Sequence, residues 1–521
     1  MNKKIVNNFI KKNFFKISNK FSKKKVLLID RGIAESAIMN SFLAYTLNKD
    51  FLFNVDLLNS VSKENIISKI YKSFGIKKNI SINIKENFTD IRLFFLVNIN
   101  FFFSVVKLFC FGRSWFINNY SLKGIYFGDL IYDEYIRNNH NFLNRNLINK
   151  NFLRLLYIII FKINFLEQII SKKSYEYVIS PTHTYASNAA LGMRIALKKN
   201  IKVLNVLSSR LRIYKKPIEA EKIEYILDLK FLKDKKIFDK DWKKKFNIMI
   251  KDRYSGKIKY FTAKDAYRNK KQINKAEFLK IFHFKRKSFK RIVFYAPHCF
   301  SDANHKAGKL IFDDYYDQFQ TTIKHAEKDI DSLWIIKIHP TSYKYKEENL
   351  IHELIKNKKV QNIVICPNKF STFSLIKFSD LIITGRGTIG LETACFGKKP
   401  LLAGETFYSN FNITHNPRNV KDYINKLSNY KLLSKLNTKQ IIAAKKLFYL
   451  LVFKNSHIEK DKILISNYLR ADIKSKKMFQ QFLNEDEFIY KITKKLAKKI
   501  DLSNDRIFQN FKNVLINQKS V

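Results

Sequence analysis

The segment Lys337–Pro340 combines two residue types that suit a bound phosphate. It follows an apolar run, and Pro340 ends that run and keeps the preceding residue extended. Alternation along an extended chain puts Lys337 and His339 on the same side, and a cation beside an imidazole favours an anionic group. A surface lysine beside an ordinary loop histidine would give the same letters, so the pattern alone leaves both interpretations open.

A second stretch, Thr384–Glu392, reads TGRGTIGLE after another apolar run. Gly385 and Gly387 permit a tight turn with close approach of the backbone. A helix is expected to begin near Thr388, where free N–H groups and the positive end of the helix dipole favour an anion. A helix cap built of small packing residues is the alternative.

The same stretch contains further candidate ligand-binding residues. Arg386 adds a positive charge, and Glu392, one turn inside the helix, could accept hydrogen bonds from ribose hydroxyls. With Gly390 the glycines read G-x-G-x-x-G, but the stretch comes late in its domain and no acidic strand end follows. It is therefore not the dinucleotide fingerprint.

Two other polar segments follow apolar runs. The loop after Tyr295 contains His298, Ser301 and Asp302 and suits the floor of a cleft, although a solvated loop is equally compatible.

Removing a proton from a hydroxyl needs a carboxylate or an imidazole. The candidate catalytic residues are Asp129, Asp133 and His183; Asp129 is the first choice, and a helix cap is its structural alternative.

Elements that position these residues form an α/β series. A strand, a turn and a helix alternate around residues 175–206, which favours a parallel sheet. The predicted strands are Lys25–Asp30, Tyr175–Ile179, Ile201–Val206, Arg291–Tyr295, Leu333–Ile338, Asn362–Cys366, Leu381–Thr384 and Pro400–Leu402. Ligands of such sheets bind beyond the carboxyl ends of the strands, which is where the candidate residues stand.

Composition limits the function classes. The 521 residues include 46% hydrophobic residues, enough for full-sized cores, so the chain is neither wholly disordered nor a small disulfide-stapled domain. Lys and Arg number 98 against 44 Asp and Glu, a formal charge of +54 spread along the chain. Because the positive charge is spread along the chain, it favours a protein in generally anionic surroundings over one dedicated to binding nucleic acid. The four cysteines show neither C-x-x-C nor zinc spacing, which indicates a reducing cytosol.

The most apolar window runs from Leu93 to Phe111 and is interrupted by Asn98, Asn100 and Lys107. These polar residues make it a poor membrane span. It is expected to form a buried strand and helix. Contact with a membrane surface is the alternative, because aromatic and basic residues occur together there.

Taken together, the motifs resemble a known family. Lys337-x-His339-Pro340, the run from Gly387 to Pro400 and the later Phe407-Tyr408 are similar to bacterial capsule polysaccharide biosynthesis proteins, GT-B glycosyltransferases of the Kdo-transferase type. The segment from Gly128 to Arg137 also looks like surface-polysaccharide biosynthesis proteins. The resemblance covers about residues 291–416. A Gly-Trp-Gly run that often follows the tyrosine in Kdo-type members is replaced here by Ser409–Asn412.

The resemblance implies a GT-B-like α/β fold with two Rossmann-type doubly wound domains facing a cleft and a helical C-terminal tail. The expected boundaries are 1–285 for an acceptor-side domain with helical insertions, 286–430 for the nucleotide-sugar domain and 431–521 for a helical extension. Lys337 and His339 would hold the donor phosphate, the turn from Thr388 to Gly390 would cradle it, and Glu392 would bind the ribose.

The implied activity is sugar transfer from a nucleotide-sugar donor, a CMP-sugar being favoured, to a bacterial surface polysaccharide or lipopolysaccharide. No cofactor and no catalytic metal are expected. The expected partners are the donor, an anionic glycan or glycolipid acceptor and the inner-membrane surface, with a cytoplasmic or peripheral location and no specific nucleic acid. The alternatives are a glycerophosphotransferase or nucleotide-sugar epimerase of similar fold, and a basic protein that binds nucleic acid or membranes.

Overall fold

The computed structural model describes residues 23–30, 34–59, 71, 75–76, 79–81, 90–137, 140–207, 210–221, 238, 240–257, 266–284, 289–306, 308–356, 361–430 and 433–450. Within these residues the chain forms two compact units. Unit 1 comprises the described residues up to 135 and those in 145–220, and unit 2 comprises 136–144 and the described residues from 221 to 450.

Unit 1 is built on a six-stranded sheet with the order β3-β2-β1-β6-β7-β8. Only the β7–β8 pair of this sheet is antiparallel. The order reverses between β1 and β6, because the chain moves outward through β2 and β3 and then returns to the other side of β1. Strand bounds are Lys25–Ile29 (β1), Asn54–Asn59 (β2), Asn79–Ser81 (β3), Ser121–Leu122 (β4), Ile125–Tyr126 (β5), Tyr175–Ile179 (β6), Lys202–Leu207 (β7) and Arg210–Tyr214 (β8); β4 and β5 form a separate hairpin.

Helices surround this sheet, and polar side chains mark where they begin. Asp90, Asn149 and Ser187 each accept a backbone N–H of the following first turn, as good N-caps do. The helices are Ala34–Phe51 (α1), Ile91–Asn119 (α2), Gly128–Ile136 (α3), Lys150–Lys172 (α4), Asn188–Lys198 (α5) and Pro217–Glu221 (α6).

Helix α2 differs from what its sequence led us to expect. The apolar window 93–111 is a single helix with a kink at Gly112, not a buried strand and helix. Among the described residues it is the one helix long and apolar enough to cross a membrane, and only 22% of its most apolar 18 residues are buried. The expectation of burial was therefore wrong for one face of this helix.

Unit 2 contains a five-stranded, wholly parallel sheet with the order β11-β10-β9-β12-β13. Its strands are Arg291–Ala296 (β9), Ser332–Ile336 (β10), Ile363–Ile365 (β11), Leu381–Thr384 (β12) and Leu401–Leu402 (β13). The helices of this unit are Trp242–Tyr254 (α7), Lys275–Ile281 (α8), Tyr315–Lys328 (α9), Glu348–Lys356 (α10), Thr372–Phe378 (α11), Thr388–Cys395 (α12), Val420–Ser428 (α13) and Thr438–Phe448 (α14).

The predicted α/β fold class is confirmed, since each unit has a doubly wound, mainly parallel sheet. The units do not divide the chain at 285, because the described residues of 221–285 group with unit 2. Helix α7 explains this difference: its Phe246 and Met249 pack in one core with Leu391 and Leu447. A helical extension was expected at 431–521. The described part of this range, which ends at residue 450, contains α14, and residues 451–521 lie outside the described residues.

Gly128, which precedes Asp129, is required by close backbone packing. A Cβ at this position would fall against the carbonyl oxygens of Phe116 and Ile117 at the end of α2. We therefore expect Gly128→Ala to lower the free energy of unfolding by about 1–3 kcal/mol, as overpacking does. Urea unfolding measures this loss. Gly124→Ala is the comparison variant: Gly124 has a φ of 71° and only a lysine side chain near its Cβ position, so alanine there strains the backbone without a packing clash. Unchanged stability of Gly128→Ala would contradict the packing argument.

Candidate functional site

The sheet of unit 2 has a topological switch point at β9. The chain passes through β9, β10 and β11 in one direction and then returns to the other side of β9 for β12 and β13. Ligands of open parallel sheets bind beyond the carboxyl ends of the strands at such a point. The segments that follow β9, β10 and β12 are 297–306, 337–342 and 385–387, and they contain most of the predicted ligand-binding residues.

Glu347, a residue that the sequence analysis did not single out, holds the loop after β9. Its fully buried carboxylate accepts the backbone N–H groups of Phe300 at 2.7 Å and Ser301 at 2.8 Å. Asn304 ties the loop to α9, because its Oδ1 accepts the N–H of Tyr315 at 2.6 Å and its Nδ2 donates to the Phe300 carbonyl at 2.9 Å. The loop backbone is thus held in place by the protein itself.

His298 lies at the meeting point of these strand-end segments. Its ring stacks on Tyr315 with 4.6 Å between centroids and lies 5.8 Å from the ring of His339. Its Nε2 is buried and has no hydrogen-bond partner among the described residues. Burial, reinforced by His339, lowers the pKa of His298 to about 3, so the imidazole is uncharged at neutral pH. A buried ring nitrogen of this kind calls for a partner, which a ligand could supply.

His339 is oriented by the residues around its Nδ1. The Thr341 hydroxyl lies at 2.8 Å from this nitrogen, and the Thr341 backbone N–H donates to it at 3.3 Å. The Cys299 thiol lies 3.5 Å away. Burial lowers the pKa of His339 to about 4. Because Nδ1 accepts the backbone N–H, we assign the proton of the neutral ring to Nε2, which leaves Nε2–H as a donor.

Two glycines bring the turn after β12 against His298. A Cβ on Gly385 would lie 2.9 Å from both His298 Cδ2 and Tyr315 Cε1. A Cβ on Gly387 would lie 2.9 Å from Thr384 Oγ1 and 3.7 Å from His298 Nε2. The open face of Gly387 therefore borders the buried nitrogen of His298.

Helix α12 begins at this turn, as the sequence predicted. Its N-cap, Gly387, offers no side chain to the first-turn N–H groups, and Thr388 is exposed. The Tyr408 hydroxyl donates to the Gly387 carbonyl, and Gly390 leaves the space that this hydroxyl occupies. The helix start is thus held from inside the protein. The Gly390 N–H donates to the Gly387 carbonyl at 3.0 Å, so among the described residues the N–H groups of Thr388 and Ile389 are those left for an anion.

Arg386 does not present its charge to this opening. Its buried guanidinium donates to the backbone carbonyls of Asn304 and Gly308, the latter at 2.5 Å. It thereby joins the loop after β9 to the turn after β12.

Asp302, also in the loop after β9, forms an ion pair with Lys306 at 3.0 Å. Burial by itself would raise the pKa of Asp302, but Lys306 outweighs this effect and lowers the pKa to about 2.

Lys337 is not on the side of His339 that alternation predicted. Its Nζ is buried and donates to the Phe370 carbonyl at 2.6 Å, and burial lowers its pKa to about 8. Strand β10 ends at Ile336, so residues 337–339 are not regular strand and the two-residue period does not apply to them. Pro340 follows His339 directly and leads into the turn that carries Thr341.

Glu392, the predicted ribose ligand, faces the interior of unit 2. Its carboxylate has no exposed surface. Oε1 accepts from Arg253 Nε at 3.1 Å and Nη2 at 2.6 Å, and Oε2 accepts the hydroxyls of Tyr254 at 2.9 Å and Tyr267 at 2.6 Å. Each carboxylate oxygen of Glu392 thus accepts two hydrogen bonds from the protein. The pair with Arg253 holds α12 against α7.

Comparison with known proteins bears on the same region. Residues 240–450 match the family of capsule polysaccharide biosynthesis proteins. The predicted resemblance is thereby confirmed over about two fifths of the chain, a range that includes the strand-end residues of unit 2 but not Asp129, Asp133 or His183. No curated protein matches the chain.

Among solved structures, the chain is similar to a UDP-GlcNAc 2-epimerase of Neisseria meningitidis bound to UDP-GlcNAc, with 14% identity over 83% of this chain and 100% of that one, at a TM-score of 0.25. A second is KpsC of Thermosulfurimonas dismutans, a beta Kdo 2,4 transferase, with 14% identity over 52% of this chain and 79% of that one, at a TM-score of 0.30. MurG of Acinetobacter baumannii gives 9% identity over 84% and 92%, at a TM-score of 0.18. Scores at this level assign no activity to this chain.

In unit 1, the first-choice catalytic base is already engaged. Asp129 lies in a buried two-pronged ion pair with Arg194, with Nη1–Oδ1 at 2.7 Å and Nη2–Oδ2 at 2.6 Å. Its Oδ1 also accepts the N–H of Leu130 at 2.7 Å, at the start of α3. Asp129 thus lies inside the first turn of α3, not at a cap before it, and its ion pair ties α3 to α5.

The other two candidates of unit 1 lie in different surroundings. Asp133 is buried one turn further along α3, with 2% of its surface exposed. His183 is half-buried and follows β6, next to the β1–β6 switch point of the unit 1 sheet. By position, His183 is the candidate that lies at a strand end.

Breaking the Asp129–Arg194 pair leaves a buried guanidinium without its counter-charge. We expect Asp129→Asn to lower the free energy of unfolding by about 3–5 kcal/mol, as for other buried pairs. The matched control is Glu167→Gln in the more exposed Lys123–Glu167 pair, where a loss below about 1 kcal/mol is expected. Urea unfolding measures both. Parent-like stability combined with a hundredfold loss of turnover (about 10²) would instead favour Asp129 as a base.

The two buried histidines predict a pH effect on stability. Their folded pKa values of about 3 and about 4 lie below the unfolded value of about 6.5. The unfolded chain therefore binds more protons below pH ~6.5, and the stability that is fully present above this pH falls as the pH drops towards about 3. The double variant His298→Gln/His339→Gln should show a flatter pH dependence of unfolding than the parent. The exposed His352→Gln serves as control; equal slopes in all three proteins would refute the effect.

Proposed function

We propose that the chain is a glycosyltransferase that moves a sugar from a nucleotide-sugar donor to a bacterial surface polysaccharide or lipopolysaccharide acceptor. The observation that carries the proposal is the convergence, within the region that matches capsule polysaccharide biosynthesis proteins, of His298, His339 and the open start of α12 at the β9 switch point. This is the part of an α/β sheet where nucleotides bind.

The donor phosphates are assigned to the α12 start. The N–H groups of the first turn and the helix dipole offer partial positive charge to the phosphate oxygens. His339 adds its Nε2–H, and His298 its buried Nε2. Both imidazoles are neutral at physiological pH, so they contribute hydrogen bonds and leave the charge interaction to the helix terminus.

Lys337 and Glu392 have supporting roles in this proposal. Lys337 fixes the segment after β10 through the Phe370 carbonyl, and Glu392 fixes α12 through Arg253. Both act by positioning the groups that touch the donor. The ribose contact assigned to Glu392 by resemblance would require its present hydrogen bonds to break.

For the acceptor proton we favour His183 over Asp129. An inverting transfer needs a group that can accept a proton from the attacking hydroxyl. Asp129 is held by Arg194, whereas His183 is partly exposed at a strand end. The family resemblance favours a CMP-sugar donor and an anionic glycan acceptor, and the basic chain, with a formal charge of +54, suits anionic substrates.

Nucleotide binding tests the site. Losing a hydrogen bond to a charged phosphate costs roughly 1.5–3 kcal/mol, so His339→Ala should weaken nucleotide binding at least about tenfold. Gly387→Val should abolish it, because the side chain would cover the open N–H groups. Lys337→Met should stay within about threefold if Lys337 is bound internally. Calorimetry against CMP, UDP and GDP measures these affinities, and the winning nucleotide defines the donor class.

The exposed His352→Ala variant is the matched control and should bind as the parent does. Parent-like affinity in both His339→Ala and Gly387→Val would remove the site from this part of the sheet. Product analysis by mass spectrometry tests the reaction itself. Release of the nucleotide only when a glycan acceptor is present supports transfer, whereas an isomerised nucleotide sugar formed without acceptor would assign an epimerase instead.

A further inference from the structure

One face of α2 is apolar and exposed, and we call it the α2 outer face. It is defined by Phe95, Ile99, Phe102, Val106 and Phe109, whose spacing of three or four residues places them along one side of a helix. Their exposed fractions run from 40% at Val106 to 76% at Phe109. Contiguous apolar surface of this kind marks an interaction site in a soluble protein.

The opposite side of α2 is also apolar, but it is packed. Leu93, Val97 and Leu108 are buried in unit 1. Contacts to α4 hold this side: Phe101 meets Tyr157 edge to face at 5.2 Å between centroids, and Asn100 Nδ2 donates to Asn164 Oδ1 at 3.2 Å. A helix that is apolar on two sides needs an apolar medium on both, and the described residues supply it on one side.

The charges near α2 distinguish between occupants of its outer face. Residues 91–128 contain no Asp or Glu, while α2 carries Arg92, Lys107 and Arg113. A second copy docking through the same face in a two-fold dimer would bring these like charges together. An anionic phospholipid surface offers the opposite charge as well as an apolar layer.

We propose that the α2 outer face lies in the interface of an anionic phospholipid bilayer. Phenylalanine and isoleucine side chains enter the boundary between headgroups and acyl chains, and the exposed cations Arg92 and Lys107 contact lipid phosphates. The inner side remains packed on α4, so the helix lies in the plane of the membrane and does not cross it. This inference is independent of the nucleotide site in unit 2.

Vesicle flotation tests the proposal on the full chain. The protein should float with phosphatidylglycerol–phosphatidylethanolamine vesicles and much less with phosphatidylcholine vesicles or at high salt, where charge attraction is screened. The double variant Phe102→Glu/Phe109→Glu should reduce the bound fraction at least about tenfold, because it adds charge to an apolar interface. Ile330→Glu is the matched control, since Ile330 is exposed to a similar extent, 74%, in unit 2.

Cys110 supplies a second readout. It is exposed next to Phe109, whereas Cys299, Cys366 and Cys395 are buried, so a thiol-reactive, polarity-sensitive dye should label Cys110 selectively. Its emission should shift to the blue on anionic vesicles in the parent and in Ile330→Glu but not in the double variant. Circular dichroism checks that each variant is folded, as expected for substitutions at exposed positions.

Absence of flotation, or equal flotation of the double variant and the parent, would overturn the proposal. Light scattering tests for a dimer. If the parent forms a stable dimer and the double variant is a monomer, the α2 outer face binds a second copy of the chain and not lipid. The double variant should keep parent nucleotide affinity. The membrane proposal and the proposed function can therefore fail separately.

Discussion

The central position of β9 in the unit 2 sheet governs where chemistry can take place in this protein. Parallel pairing with β10 on one side and β12 on the other brings three chain segments to the same edge of the sheet. These segments are up to about ninety residues apart in the chain, so nothing local joins them. The inward hydrogen bonds of Glu347, Asn304 and Arg386 then hold the segments in shape, which leaves the start of α12 as an open anion-binding element.

Burial determines the charge state of the groups at this edge. His298 and His339 lie close together in an environment that disfavours the imidazolium ion, and the resulting low pKa values keep both rings neutral. The positive potential for a ligand therefore comes from backbone N–H groups and the helix dipole. Such fixed dipoles need no proton to be taken up or lost, so the site can work over the physiological pH range.

Several charged residues that look functional in the sequence serve the framework instead. Asp129 with Arg194 and Glu392 with Arg253 are buried pairs that each join helices distant in the chain. Removing one partner of such a pair is costly, because the other charge stays buried. The exposed charges and the apolar outer face of α2 are in contrast available for contact, and they give unit 1 a surface of different chemistry from the strand-end site of unit 2.

Local pattern in the sequence determined the α/β class, most strand positions and the start of α12. Strands β6 and β12 have the bounds that were predicted, because short apolar runs act over a few neighbours. Only the tertiary structure decided which charged side chains face a ligand. Lys337, Glu392 and Asp129 meet their partners 33, 139 and 65 residues away, and Tyr315 and Glu347 carry no local signal of their contacts. The outer face of α2 likewise could not be predicted from a mostly apolar stretch, since burial depends on which helix packs beside it.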